Sequence, residues 1–338
     1  MSKEFYPETA HALGLVTTPR ALAYTKGEDL RAWQKKLRRK LKDLMGTMPD
    51  KVPLRIRRIF DRKRPGFREI RFEFQSEKGA RVPCHLLLPL HQGPKPVPVV
   101  ICLQGHSSGM HVSIGRKKVA WDQRLLDGQE DFGVQAVKQG YAALVMEQRC
   151  FGERGDHQAG AKQGCRHASM VSLLLGRSMI GERVWDVRRA IDALETFPEI
   201  DATRVACLGN SGGGTITWFA ACVEPRIKVV MPSCSVCSLP YSIGSIAHCP
   251  DNYLPGFLRW FDMQDLAGLI APRPLIVVTG AKDDIFPLKG VRLAYHRIQT
   301  IYAAAGAKNK SRLLIGRGGH RFYPALAWPV FNKLSGWG

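Results

Sequence analysis

Residues 201–223 read DATRVACLGNSGGGTITWFAACV, and this stretch decides the fold. RVACLG is a short apolar run of strand type, and TITWFAACV continues as a run of small and apolar residues suited to a packed helix. Between them stands Gly209-Asn210-Ser211-Gly212-Gly213, a GxSxG at a strand-to-helix turn. Such a turn needs glycine on both sides, because a serine held in strained backbone leaves no room for side chains between strand and helix. The serine hydroxyl is thereby lifted above the sheet, and the helix N-terminus behind it favours negative charge.

Working outward, the chain from Phe67 onward alternates short apolar runs with helical segments, which predicts an α/β fold. FREIRFEFQ (67–75) alternates like a half-buried strand, and GARVPCHLLLP (79–89) reads as its hairpin partner. VPVVICLQ (97–104) and YAALVMEQ (141–148) are solid apolar runs of buried parallel type. MVSLLLGRSMIGERVWDVRRAIDALETF (170–197) carries Val184, Val187, Ile191 and Leu194 at helical intervals and predicts one long helix stopped by Pro198. After the elbow, IKVVMP, RPLIVVTG and SRLLIG complete a mostly parallel sheet.

Two of those strands end in chemistry. RPLIVVTGAKDDIFP (273–287) places Asp283 and Asp284 in a tight loop, and the G-x-x-D-x-x-x-P spacing from Gly280 to Pro287 selects Asp283. SRLLIGRGGHRFY (311–323) runs into Gly318-Gly319-His320, putting an imidazole on a turn. A lone histidine is more often structural. Here it is third in an ordered set, Ser211, Asp283, His320, each at a strand end. A serine hydroxyl is a poor nucleophile at neutral pH, so His320 would take its proton during attack on a carbonyl carbon, with Asp283 orienting the imidazolium. A second GxSxG, Gly105-His106-Ser107-Ser108-Gly109, also follows a strand, but MHVSIGRKK after it is β-branched, basic and broken by glycine, so it reads as a loop.

These residues resemble the α/β-hydrolase superfamily, and within it the acetyl xylan esterase and cephalosporin C deacetylase group with its dienelactone-hydrolase-like relatives. The resemblance spans roughly residues 67–335 and includes Glu147-Gln148-Arg149 with Gly152 nearby, together with the segments leading into the elbow and into the acid loop. It implies a serine carboxylic ester hydrolase acting on small acyl, chiefly acetyl, esters of small molecules such as carbohydrates, with no metal and no organic cofactor. It also implies an oxyanion hole from the Gly105-His106 segment, with His106 as donor, and from the N–H of Gly212. Gly105, Arg149 and Trp260 are the expected substrate contacts, with His248, Cys249 and Asp251 in a loop bordering the pocket and Phe261 beside Trp260 as an apolar wall. The sequence departs from the best-known deacetylases at the elbow, which reads Asn-Ser-Gly, and at His106, where several carry tyrosine. A serine at the elbow argues against dienelactone hydrolysis proper. Prolyl-oligopeptidase-type peptidases share the chain order, but the residues before the sheet are far too few for their β-propeller, and no blade repeat is present. A hydrolase fold used only for binding is the remaining alternative.

Composition bounds the rest. A chain of 338 residues with 45% hydrophobic and 23% charged residues is globular, and no run approaches a membrane span. The net charge is +21, and residues 1–66 hold seventeen Lys or Arg against seven Asp or Glu. We therefore divide the chain into a basic helical extension (1–66) and a catalytic domain (67–338). In the extension Trp33, Leu37, Leu41 and Leu44 form one apolar stripe on a basic helix, read as packed on the main body with its charges in solvent. No nucleic-acid motif accompanies the charge, so no nucleic-acid partner is expected. A homo-oligomer is compatible with the sequence. The start carries no secretory pattern, and nine scattered cysteines, including the Cys234–Cys237 CxxC, read as reduced thiols of a cytoplasmic protein.

Overall fold

The computed structural model describes residues 6–90, 96–155 and 165–337. Nine strands form one sheet: β1 (Arg57–Arg64), β2 (Phe67–Glu77), β3 (Ala80–Pro89), β4 (Val97–Leu103), β5 (Ala142–Met146), β6 (Ile200–Asn210), β7 (Ile227–Ser233), β8 (Leu275–Gly280) and β9 (Ser311–Gly316). Their order is β1-β2-β3-β5-β4-β6-β7-β8-β9. β1, β2 and β3 run antiparallel and β3 pairs antiparallel with β5, while every pairing from β5 to β9 is parallel. The helices are α1 (Pro7–Thr17), α2 (Leu30–Met45), α3 (Asp122–Asp127), α4 (Phe132–Lys138), α5 (Cys165–Leu174), α6 (Met179–Leu194), α7 (Gly212–Val223), α8 (Ala267–Ile270), α9 (Leu288–Ala304) and α10 (Pro324–Ser335). This is the α/β-hydrolase architecture, with the side chains of the parallel strands feeding one core on each face of the sheet. No helix among the described residues is long and apolar enough to cross a membrane.

Two expectations change. The boundary at residue 66 falls in the turn of a hairpin, because RRIFDRKR forms the edge strand β1, paired with β2 from Arg57–Glu73 to Arg64–Phe67. Its charges hid it: an edge strand exposes most of its side chains, and cations there discourage pairing with other chains. Arg68 binds Asp61 at 2.6 Å and Arg64 binds Glu69 at 2.8 Å across this hairpin. α2 is equally part of the body, with Trp33, Leu37, Leu41 and Met45 buried in the larger core and Leu44 partly so. Only residues 1–5 of the expected extension lie outside the described residues. The long helix is also two helices. Gly176 adopts φ +66, a left-handed turn that suits glycine, and its carbonyl accepts the Thr47 N–H at 2.9 Å. Ser178 then caps α6 by accepting the Gly181 N–H at 3.0 Å.

Candidate active site

Ser211 joins β6 to α7 at φ 54, ψ −124, a conformation that side-chain-bearing residues rarely adopt. Its neighbours show why they are glycines. A Cβ on Gly213 would overlap the Leu103 carbonyl of β4, and one on Gly209 would overlap the Gly213 backbone, so any side chain there would push α7 off the sheet. Asn210 is fully buried and clasps the elbow from below: its carbonyl oxygen accepts from Ser233 Oγ at 2.8 Å, and its amide donates to Glu130 at 3.0 Å. Burial pushes the Glu130 carboxyl up to about 7, against the pull of His320 and of the Asn210 bond.

The acid loop places Asp283 beneath His320. Asp283 Oδ2 lies 2.9 Å from His320 Nδ1, and Oδ1 accepts the backbone N–H groups of Ile285 and Phe286 at 3.0 Å each. Burial raises the Asp283 carboxyl, but the His320 bond and these donors prevail and hold it below its ordinary value. Since Nδ1 donates to the carboxylate, Nε2 is the ring atom left for a serine. The Phe286 ring stacks on the imidazole with centroids 5.9 Å apart. Asp284 is exposed. Ser211 and His320 line one cavity of about 380 Å³, together with His106, Arg124, Glu130, His248 and Cys249.

The loop after β4 closes over the elbow. A Cβ on Gly105 would stand 2.9 Å from Ser211 Cβ, so the chain passes as near Ser211 as glycine permits. The His106 imidazole lies over Gly212, whose N–H opens α7, with Nδ1 3.4 Å from where a Cβ on Gly212 would stand. Its Nε2 meets Asp251 Oδ2 at 3.2 Å and Cys165 Sγ at 3.4 Å. Burial lowers the imidazole, but the Asp251 carboxylate and the Cys165 sulfur overcome that and raise it to about 9. Further along, Glu147 holds the loop by accepting from Gln104 Nε2 at 2.6 Å and from the Met110 N–H at 3.0 Å. The other GxSxG is a loop, though MHVSI after it (Met110–Ile114) forms a short turn of helix rather than continuing the loop. Ser108, His111 and Asp122 do form a second serine–histidine–aspartate contact there, but hydroxyl and carboxylate both meet His111 Nε2, so no proton path crosses the ring.

Other expected contacts lie elsewhere. Arg149 is not among the residues that line the cavity: Nε and Nη2 grip Asp186 at 2.8 and 2.9 Å, and Nη1 reaches Glu182 at 2.9 Å and Glu77 at 2.6 Å. Three carboxylates thus take four of the guanidinium's five N–H donors and fix it as a structural clamp. Trp260 packs against the α2 side of the core under Lys40, whose Nζ is 4.1 Å from the ring centroid, and Phe261 is buried in that same core. His248 and Cys249 do border the cavity, whereas Asp251 is buried and bound to Arg183 at 2.7 Å. Cys234 and Cys237 are free, buried thiols. Sequence reasoning missed Glu130, Arg124 and Cys165, which no motif marks. The Gly128 turn before Glu130 was the one available signal.

Residues 20–301 match the Abhydrolase family, a span that takes in α2 and β1. The chain is 26% identical over 311 residues to the "Putative hydrolase YtaP" of Bacillus subtilis (strain 168), covering 89% of this chain and 98% of that one. Among solved structures it is similar to a protein from Bacteroides fragilis NCTC 9343 described as a putative acetyl xylan esterase, with a TM-score of 0.78, 19% identity, and 99% and 95% of the two chains covered. It is also similar to a glucuronoyl esterase from Solibacter usitatus, with a TM-score of 0.71, 18% identity, and 95% and 98% covered.

Proposed function

We propose that this chain, which belongs to the Abhydrolase family, is a serine carboxylic ester hydrolase that cleaves small acyl esters of carbohydrates, acetyl esters foremost. The observation that carries the reading is the pairing of a positive-φ Ser211 at the end of β6 with a His320 whose Nδ1 is bound by buried Asp283, both opening on one cavity. Ser211 Oγ attacks the acyl carbon while His320 Nε2 accepts its proton. Asp283 holds the ring in the tautomer that leaves Nε2 free and stabilises the imidazolium that results. The oxyanion that forms faces the Gly212 N–H at the start of α7 and the N–H groups of the Gly105-His106 segment, where donors and helix dipole act together. His320 then returns its proton to the leaving alcohol, and water attacks the acyl-enzyme by the same route.

Similar proteins described as an acetyl xylan esterase and a glucuronoyl esterase support a carbohydrate ester. So does a cavity that presents Arg124, Glu130, His106 and His248, groups able to bond hydroxyls, rather than a wholly apolar acyl channel.

The test is release of nitrophenol from p-nitrophenyl acetate, butyrate and octanoate by the wild type, Ser211→Ala and Ser107→Ala. Turnover should fall with acyl length, vanish in Ser211→Ala and persist in Ser107→Ala. Loss in Ser107→Ala with retention in Ser211→Ala would move the nucleophile to the other loop.

A further inference from the structure

Beside the cavity, four side chains from three distant segments aim their donor atoms at one point. His106 comes from the loop after β4, Cys165 opens α5, and Cys249 and Asp251 come from the segment between β7 and α8. Their ligating atoms all lie within 4.8 Å of one another. We propose that these four residues bind a Zn²⁺ ion that ties the His106 loop, α5 and the 249–251 segment together over the elbow.

Geometry supports a tetrahedral ion. With bonds of about 2.0–2.3 Å to nitrogen, oxygen and sulfur, the edges of such a site measure roughly 3.3 Å between nitrogen and oxygen and roughly 3.5 Å between nitrogen and sulfur. Here His106 Nε2 stands 3.2 Å from Asp251 Oδ2 and 3.4 Å from Cys165 Sγ. The sulfurs of Cys165 and Cys249 are 2.7 Å apart, so an ion between them would spread them by about 1 Å to the edge that Zn–S bonds set.

Charge and ligand type agree. Two thiolates and Asp251 carry three negative charges, the Arg183 guanidinium bound to Asp251 at 2.7 Å returns one, and a divalent cation neutralises the remainder. Thiolate, imidazole and carboxylate together select zinc over magnesium or calcium. The supporting bonds are also in place, since Arg183 and Asn252 Nδ2, at 2.6 Å, orient the Asp251 carboxylate. Four protein ligands leave no open coordination position, so the ion positions His106 and does not itself activate water. Cys165 and Cys249 are 84 residues apart, which is why no sequence spacing announces the site.

The experiment is metal analysis and Co²⁺ substitution of the full chain, purified under reducing conditions with zinc supplied. We expect one Zn²⁺ per chain after dialysis, released when the thiols are modified. Exchange for Co²⁺ should give tetrahedral visible bands and a sulfur-to-cobalt charge-transfer band, both lost in Cys165→Ser and Cys249→Ser and kept in Cys237→Ser. A wild-type chain that retains no zinc and gives no charge-transfer band overturns the proposal, whether its thiols prove free or joined in a disulfide. The wild-type measurement decides the matter if a variant fails to fold. Metal content is read without substrate, so the outcome is separate from the esterase reading.

Discussion

Replacing Glu130 by Gln should make the protein more stable, and by an amount that grows with pH. The carboxyl is 4% exposed, makes one side-chain hydrogen bond, to Asn210, and is pushed from an ordinary value of 4.5 up to about 7. A group whose folded-state pKa lies above its unfolded value favours the fold while it is protonated, below the unfolded value, and that support is lost as pH rises through the folded value. With those two pKa values, ionising Glu130 penalises the fold by roughly 1 kcal/mol at pH 5 and by roughly 3 kcal/mol at pH 7 and above. Glutamine keeps an oxygen to accept from Asn210 and has no charge to bury. Urea unfolding of wild type and variant at pH 5, 7 and 8.5 should therefore show a gain that rises by roughly 2–3 kcal/mol from the lowest pH to the highest. A difference between the two proteins that stays flat across this range would refute the reasoning, because it would mean that Glu130 titrates alike in the folded and unfolded chains.

Three further outcomes are expected. Asp283→Asn should lower kcat on p-nitrophenyl acetate by roughly 10³–10⁴-fold through loss of the correct imidazole tautomer, while exposed Asp284→Asn stays within about twofold; the reverse order would shift the acid by one residue. Arg149→Met leaves Asp186 with Arg154 and Glu182 and Glu77 with Arg177, and should cost roughly 2–3 kcal/mol in urea unfolding, yet leave the KM of the folded enzyme near wild type; a tenfold rise in KM would return Arg149 to the substrate. Trp33→Ala should cost about 3–5 kcal/mol, since the ring is 2% exposed, packs against Gly268 and donates from Nε1 to the Leu22 carbonyl at 2.9 Å; a loss below about 1 kcal/mol would mean that α2 is an appendage.

Features carried by local pattern were readable along the chain. Ser211, Asp283 and His320 each follow a strand-type run and sit among glycines, and a residue's place at a strand end depends on its immediate neighbours. The direction of a long side chain depends on what stands opposite in space. Arg149 follows β5 at the edge nearest the site, yet it turns to Asp186 and Glu182 on α6 and Glu77 on β2, partners that lie far away in sequence. Trp260 likewise turns to α2. β1 carries no local signal because an edge strand needs no apolar alternation, and the break between α5 and α6 carries none because apolar periodicity runs on across Gly176, whose left-handed turn appears only with its partner at Thr47.

The cavity divides into parts that answer to different constraints. Ser211 and His320 are held by strands, glycines and a buried carboxylate, where almost any substitution collides with backbone. Arg124 stands instead on the six-residue α3, and the exposed Trp121 just precedes it, outside the sheet. Neither side chain bonds to the serine, the histidine or the aspartate. On the proposed esterase reading, such a wall can change while the proposed reacting centre is kept, so a few replacements near α3 would suffice to exchange one alcohol for another. A directed library aimed at a new ester should be placed there.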